Sequence, residues 1–234
     1  MNFGKELDNG NVEYIVTIAK AGLGAIPVVG SLLAELAGTV IPNQRIDRLV
    51  NFARLLETRL STIEQEKLAH QCADPQCADL LEEGMRQAAA SLSDERREYL
   101  ASLIEHSLTS EEISHHESKH LLKIFGDLND VEIILLRSYL VETIGGDSEF
   151  RQRHAAVLAF PQVHMASSQP ELNKSAIADS YKNHLIRLGL LEQRYKLDSQ
   201  TKQLKVDISG RLEMQSAGIT QAGRLLLRSI GLSE

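Results

Sequence analysis

The sequence contains no tryptophan, and aromatic residues make up only 4% of its 234 residues. A site for sugars or nucleobases needs flat stacking surfaces, so this scarcity argues against an aromatic-lined site. The sequence also lacks the glycine-rich phosphate loops of nucleotide-binding proteins and the GxSxG turn of serine hydrolases. We therefore expect a protein that is not an enzyme and that uses no cofactor.

Cysteine is also scarce, since the chain has two, Cys72 and Cys77. A secreted disulfide scaffold would carry more, and the opening residues MNFGKELDNGNVEY are polar and acidic, unlike a secretory signal. These features predict a cytoplasmic protein. His70 and the two cysteines resemble a metal-ligand set, but zinc sites usually add a second cysteine pair. Ordinary reduced cysteines are the preferred interpretation.

The net charge of −7 is unevenly distributed. Residues 171–234 carry ten Lys or Arg against seven Asp or Glu, whereas residues 1–170 carry 15 against 25. A protein that binds duplex DNA usually concentrates positive charge on one face, and this small excess is a weak version of such a face. The distribution favours two domains, residues 1–160 and 171–234, more than it favours DNA binding.

One long stretch has almost no charge. Residues 12–41 include three charged side chains, and the 14 residues AGLGAIPVVGSLLA within them include none. A helical span of a bilayer needs about 20 residues, and Pro27 and several glycines interrupt this run. We expect a helical hairpin that is buried in a core, in an interface or at the surface of the inner membrane. Its candidate contact residues are Ile26, Val28, Val29, Leu32, Leu33 and Leu36.

An amphipathic helix is expected over residues 44–65, because apolar residues recur there at helical spacing. The apolar stripe comprises Ile46, Leu49, Val50, Phe52, Ala53, Leu56, Leu60 and Ile63. Further helices are predicted over residues 78–90, 93–107, 110–126 and 129–143. Ser110 is expected to start the third of these, and a capping box of Asn129 and Glu132 the fourth.

Residues 161–170 are expected to form a loop and the domain boundary. After it, the pattern predicts a helix over 173–188, strands over 190–197 and 203–215, and a helix over 219–230 with Thr220 as its N-cap. This order is typical of a winged-helix module. The predicted fold class is therefore mainly α, with an N-terminal helical hairpin or bundle followed by a winged-helix-like α+β module.

His116, Glu117 and His120 have the HExxH form of zinc proteases, in which two histidines one helical turn apart share the metal. No third ligand follows at the extended spacing, and Lys119 places a cation inside the segment. A solvated helix face without a metal is the preferred interpretation. A zinc hydrolase remains the third functional hypothesis.

Several polar residues of the C-terminal module are candidates for contact with a nucleic acid or a protein partner. Lys182, Asn183 and Arg187 belong to the predicted helix, and Lys202 and Lys205 to the candidate wing. Lys and Arg contact phosphates, and Asn can hydrogen-bond to a base edge. Interspersed Asp and Glu dilute the positive charge, so protein contact is preferred and weak nucleic-acid binding is the alternative.

The segments AIPVVGSLLAEL and GTVIPNQRIDRLVNFARLLETRL resemble the apolar hairpin and amphipathic helix of many bacterial phage-defence and abortive-infection proteins. The segments LLKIFGDLNDVEIILLRSYL, NHLIRLGLLEQ and ITQAGRLLLRSIGL are similar to the C-terminal half of the Abi-alpha (abortive infection) family. This resemblance implies a non-enzymatic defence protein that acts through self-association, a protein partner or a membrane. The alternative is a transcriptional regulator that binds DNA through its winged helix.

Overall fold

The computed structural model describes residues 43–60, 74–110, 113–141, 146–161, 164, 167–198, 203–206, 212 and 214–232. The expected hairpin of residues 12–41 lies outside them. The described part of the chain is mainly helical, as predicted, with a small two-stranded antiparallel sheet near the C-terminus. The chain divides into two compact units, Met1–Gly126 with Ser229–Gly231, and Asp127–Arg228 with Leu232–Glu234.

Regular elements occur in both units. Those up to residue 127 are α1 (Asn43–Leu60), α2 (Pro75–Ala90), α3 (Asp94–Thr109) and α4 (His115–Asp127). Those that follow are α5 (Asp130–Ser138), α6 (Ser148–Arg153), α7 (Ala155–Leu158), α8 (Gln169–Arg187), β1 (Leu191–Tyr195), β2 (Met214–Ile219) and α9 (Gln221–Ser229).

The apolar stripe of α1 forms the core of the first unit. All predicted stripe residues within the described range are buried, and Phe52 and Leu56 are fully inaccessible to solvent. Helices α1, α2 and α3 pack against one another in pairs. A Cβ atom added at Gly84 would lie 3.0 Å from Ile104 Cδ1, which shows how closely α2 approaches α3. The predicted amphipathic helix is therefore confirmed from Asn43 to Leu60.

The helix starts of the first unit follow their capping side chains. The N–H group of Arg96 donates to Ser93 Oγ at 3.2 Å, which confirms Ser93 as the start of α3. The prediction that Ser110 starts the next helix is wrong, because its N–H group donates to His106 O and ends α3. Helix α4 begins at His115 instead, directly after Ser114.

The predicted capping box at the start of α5 is confirmed. The N–H group of Glu132 donates to Asn129 Oδ1, and the N–H group of Asn129 donates to Glu132 Oε2, both at 2.9 Å. Helix α5 ends at Ser138, earlier than the predicted end at residue 143. It contacts α7 and α8, so it groups with the C-terminal elements. The domain boundary at residues 161–170 stays a prediction.

Helix α8 begins at Gln169, within the region predicted to be a loop. The N–H group of Ser168 donates to Glu171 Oε2 at 2.7 Å, and Pro170 occupies the first turn, where its missing N–H group costs no hydrogen bond. Gly189, with a φ of 73°, ends the helix in the left-handed conformation. Thr220 Oγ1 accepts a bond from the N–H group of Gly223, which confirms it as the cap of α9.

Strand β1 pairs antiparallel with β2, with Leu191 opposite Ile219 and Arg194 opposite Ser216. The predicted second strand, residues 203–215, is wrong in its bounds. The regular strand is Met214–Ile219, whereas Leu204 and Val206 form single bridges, to Leu197 and Leu212 respectively.

We predict that Leu56→Ala lowers the free energy of unfolding by about 2–5 kcal/mol, because it leaves a cavity in a core that excludes solvent. Asn51→Ala, at an exposed position of the same helix, should change it by less than about 0.5 kcal/mol. Chemical denaturation of both variants measures the difference. Equal stabilities of the two variants would contradict the described packing of α1.

Candidate functional site

The HExxH-form segment lies on the first two turns of α4. His116, Glu117 and His120 are exposed, whereas Ser118 between them is buried. Glu117 Oε2 accepts hydrogen bonds from the Ser114 N–H group at 2.6 Å and from the Ser114 hydroxyl at 2.8 Å. These bonds hold the pKa of Glu117 below its ordinary value. The Glu117 carboxylate therefore caps the start of α4. Because these hydrogen bonds occupy the carboxylate, capping competes with a role as general base.

The charges around this segment belong to surface ion pairs. Lys119 Nζ contacts Asp79, and His115 Nε2 lies 3.7 Å from the same carboxylate. Lys119 is the main cause that lowers the pKa of Asp79. Among the residues that the structure describes, no three His, Cys, Asp or Glu side chains are grouped to hold a metal ion. Cys77 is buried, and His70 and Cys72 lie outside the described residues.

The structure describes four of the five candidate contact residues of the C-terminal module. Asn183 and Arg187 are exposed on α8 and line a cavity of about 620 Å3, which Glu132 and Asp179 also line. Lys182 is half-buried and does not line it. Lys205 is exposed on the segment that pairs with Lys196 and Asp198. Lys202 lies outside the described residues, as do Ile26, Val28, Val29, Leu32, Leu33 and Leu36.

A hydrogen bond between two side chains joins α5 to α8, and the sequence pattern does not reveal it. His184 Nδ1 lies 2.7 Å from Glu132 Oε1, and the Glu132 side chain is only 3% exposed. The partners are 52 residues apart in sequence. The capping box identifies Glu132 as a helix start, but no local pattern predicts that its other oxygen binds a distant histidine.

The small sheet continues beyond β1 and β2 into an amphipathic extension. Opposed residues of an antiparallel pair share a face, and so do residues two apart on one strand. The bridges Leu197–Leu204 and Val206–Leu212 therefore place four apolar side chains on one face, which we call the distal face. Their exposed fractions are 57% for Leu197, 52% for Leu204, 54% for Val206 and 43% for Leu212.

The opposite face of this extension is polar. The N–H group of Lys205 donates to Lys196 O at 2.9 Å, and the N–H group of Asp198 donates to Gln203 O at 2.8 Å. The side chains of these four residues point away from the distal face, because neighbouring positions on a strand alternate. In a sheet that covers a core, the apolar face is the buried one. Here the apolar face meets solvent.

Comparison of the chain with protein-family models, with curated proteins and with solved structures finds no match. Every helix in the described part of the chain is too short or too polar to cross a membrane.

We predict that the purified protein holds no stoichiometric zinc, because Glu117 is bound to Ser114 and a third ligand is missing among the described residues. Elemental analysis of protein purified in metal-free buffer measures the zinc content directly. Stoichiometric zinc that disappears in the His116→Ala variant would contradict the prediction and favour the zinc-hydrolase hypothesis.

Proposed function

We propose that this chain is a non-enzymatic bacterial defence protein of the abortive-infection type, which acts through protein–protein contact with a second copy of itself. The observation that carries the proposal is the distal face. It presents four neighbouring aliphatic side chains to water, although a polar face lies directly behind it. Contiguous exposed apolar groups on an otherwise polar surface usually mark an interaction site.

Self-contact is the occupant that the composition of the distal face favours. Its four side chains are aliphatic, and such a patch is complementary to itself across a twofold axis. Lys196, Lys205 and Asp198 supply both signs of charge on the polar face behind it, and this mixture makes the extension a poor surface for a polyanion.

The energy available at this face sets the strength of the contact. Complete burial of a Leu or Val side chain contributes about 1.5–3 kcal/mol, but these four are already about half covered. Stable interfaces bury about 800 Å2 per partner, more than four half-exposed side chains provide. The distal face alone therefore supports a weak, concentration-dependent dimer. The apolar segment of residues 12–41 would add area, against a protein or at a membrane surface.

We further propose that the second unit is a winged-helix-like module adapted to protein contact. Its order of α8, β1, β2 and α9 agrees with such a module, and α8 is exposed along most of its length. The exposed side of α8 combines Lys174 and Arg187 with Glu171 and Asp179. This near balance of charge gives little attraction for phosphates, so DNA regulation is the less favoured function.

We predict that Leu204→Ser weakens self-association of the full chain, whereas Lys205→Ser does not. The two positions are adjacent on one strand, but they point to opposite faces, so the second variant is a matched control. Sedimentation velocity over a series of protein concentrations measures the dimer fraction. Equal dimer fractions for the two variants, or a monomeric wild type at the highest concentration, would contradict the proposal.

We also predict that the full chain binds duplex DNA weakly and without sequence preference. The acidic balance of residues 1–170 opposes approach to a polyanion. Titration against random and genomic duplex at two salt concentrations, with Arg187→Gln as a comparison, tests this. Tight, sequence-selective binding that Arg187→Gln abolishes would make the DNA-binding regulator the better account.

A further inference from the structure

A cavity of about 430 Å3 in the second unit brings together two arginines from distant parts of the chain. Arg151 comes from α6 and Arg194 from β1, and Ser216 on β2 lies directly opposite Arg194 in the sheet. No carboxylate is among the described residues that line this cavity. Two basic side chains therefore line one small cavity.

Arg151 is held in place by neutral acceptors. Its Nη2 atom donates to the oxygen of Ser138, the last residue of α5, at 2.7 Å and lies 3.5 Å from Val141 O. A carbonyl oxygen orients the guanidinium but does not neutralise its charge. Because the group has five N–H donors in a fixed plane, donation by Nη2 leaves others available for a ligand.

Arg194 is held by a partly exposed carboxylate and by the backbone. Its Nε atom donates to Glu192 Oε1 at 3.2 Å, and both side chains are about half exposed. The guanidinium lies flat against Gly218, since a Cβ atom added there would be 2.5 Å from Nη2. Only glycine at position 218 leaves room for the guanidinium in this orientation.

The rest of the cavity wall suits a ligand with an apolar body. Leu135, Leu158 and Phe160 contribute carbon surface, and the Tyr139 side chain adds a ring with a hydroxyl group. Burial raises the pKa of Tyr139, so its hydroxyl keeps the proton that it can donate. The volume is within the range of about 300–1,000 Å3 that is usual for small-molecule sites.

We propose that this cavity binds a phosphate monoester with a small apolar group. A phosphate carries several oxygens, so it can accept hydrogen bonds from both guanidinium groups and from the Ser216 hydroxyl at once. Arginine suits this task because its planar donors match phosphate geometry. The apolar substituent would lie against Leu158 and Phe160. This site is separate from the distal face and does not depend on the proposed self-association.

Isothermal titration of the full chain with phenyl phosphate tests the proposal, with inorganic phosphate and phenol as partial ligands. We expect phenyl phosphate to bind at least about tenfold more tightly than either, since each lacks one half of the recognised structure. Arg151→Gln should weaken binding by about tenfold or more, the usual effect of losing a hydrogen bond to a charged group.

Two further variants separate a specific site from general attraction. Gly218→Ala keeps every charge but displaces the Arg194 guanidinium, so it should weaken phenyl phosphate binding. This variant tests the site independently if Arg151→Gln fails to fold. Arg153→Gln is the control, because it removes the same charge only two residues away. The Arg153 side chain pairs with Glu149 and does not line the cavity, so the affinity for phenyl phosphate should stay unchanged.

Three outcomes would overturn the proposal. The first is no measurable binding of phenyl phosphate at millimolar concentration. The second is an equal loss of affinity in Arg151→Gln and Arg153→Gln, which would indicate nonspecific charge attraction. The third is phenol binding as tightly as phenyl phosphate, which would show that the cavity recognises only the apolar group.

Discussion

The second unit depends on one buried carboxylate, that of Glu132. One of its oxygens accepts the Asn129 N–H group and so begins α5, and the other is bonded to His184 on α8. Burial of a carboxyl group costs free energy unless hydrogen bonds replace its water, and here both oxygens have a protein partner. This pair therefore fixes the helix that leads, through Gly189, into the sheet. The position of α8 in turn sets the position of the surfaces on that sheet.

The sheet of the second unit carries two surfaces of different chemistry. On β1 and β2, Arg194 and Ser216 line a cavity together with Arg151, and the chemistry of this surface is mainly that of charged groups. Further along, Leu204 and Val206 belong to the distal face, where apolar contact dominates. The alternation of side chains along each strand allows one short stretch to present a polar and an apolar face at once. Under the two proposals, one surface of this chain contacts a second copy and another binds a small anion.

Local chemistry was predictable from the sequence, and long-range chemistry was not. The stripe of α1 and the caps at Ser93 and Asn129 rest on residues within a turn or two of one another, and the structure confirms them. The start of α4 was a missed local signal, because Ser114 has an acid three residues on, Glu117, at the spacing of a capping box, whereas Ser110 does not. The exposure of Leu204, by contrast, was hidden, because strand alternation is the same whether the apolar face is covered or bare.

The central claim is that a second copy of the chain covers the distal face. The most direct test is solvent paramagnetic relaxation of methyl groups, measured by NMR at low and high protein concentration. We expect the Leu204 and Val206 methyl groups to become less accessible to a soluble paramagnetic agent as concentration rises. The Leu92 methyl groups, on a side chain that is 82% exposed outside this face, should not change. Unchanged accessibility of Leu204 and Val206 over the full concentration range would contradict the account.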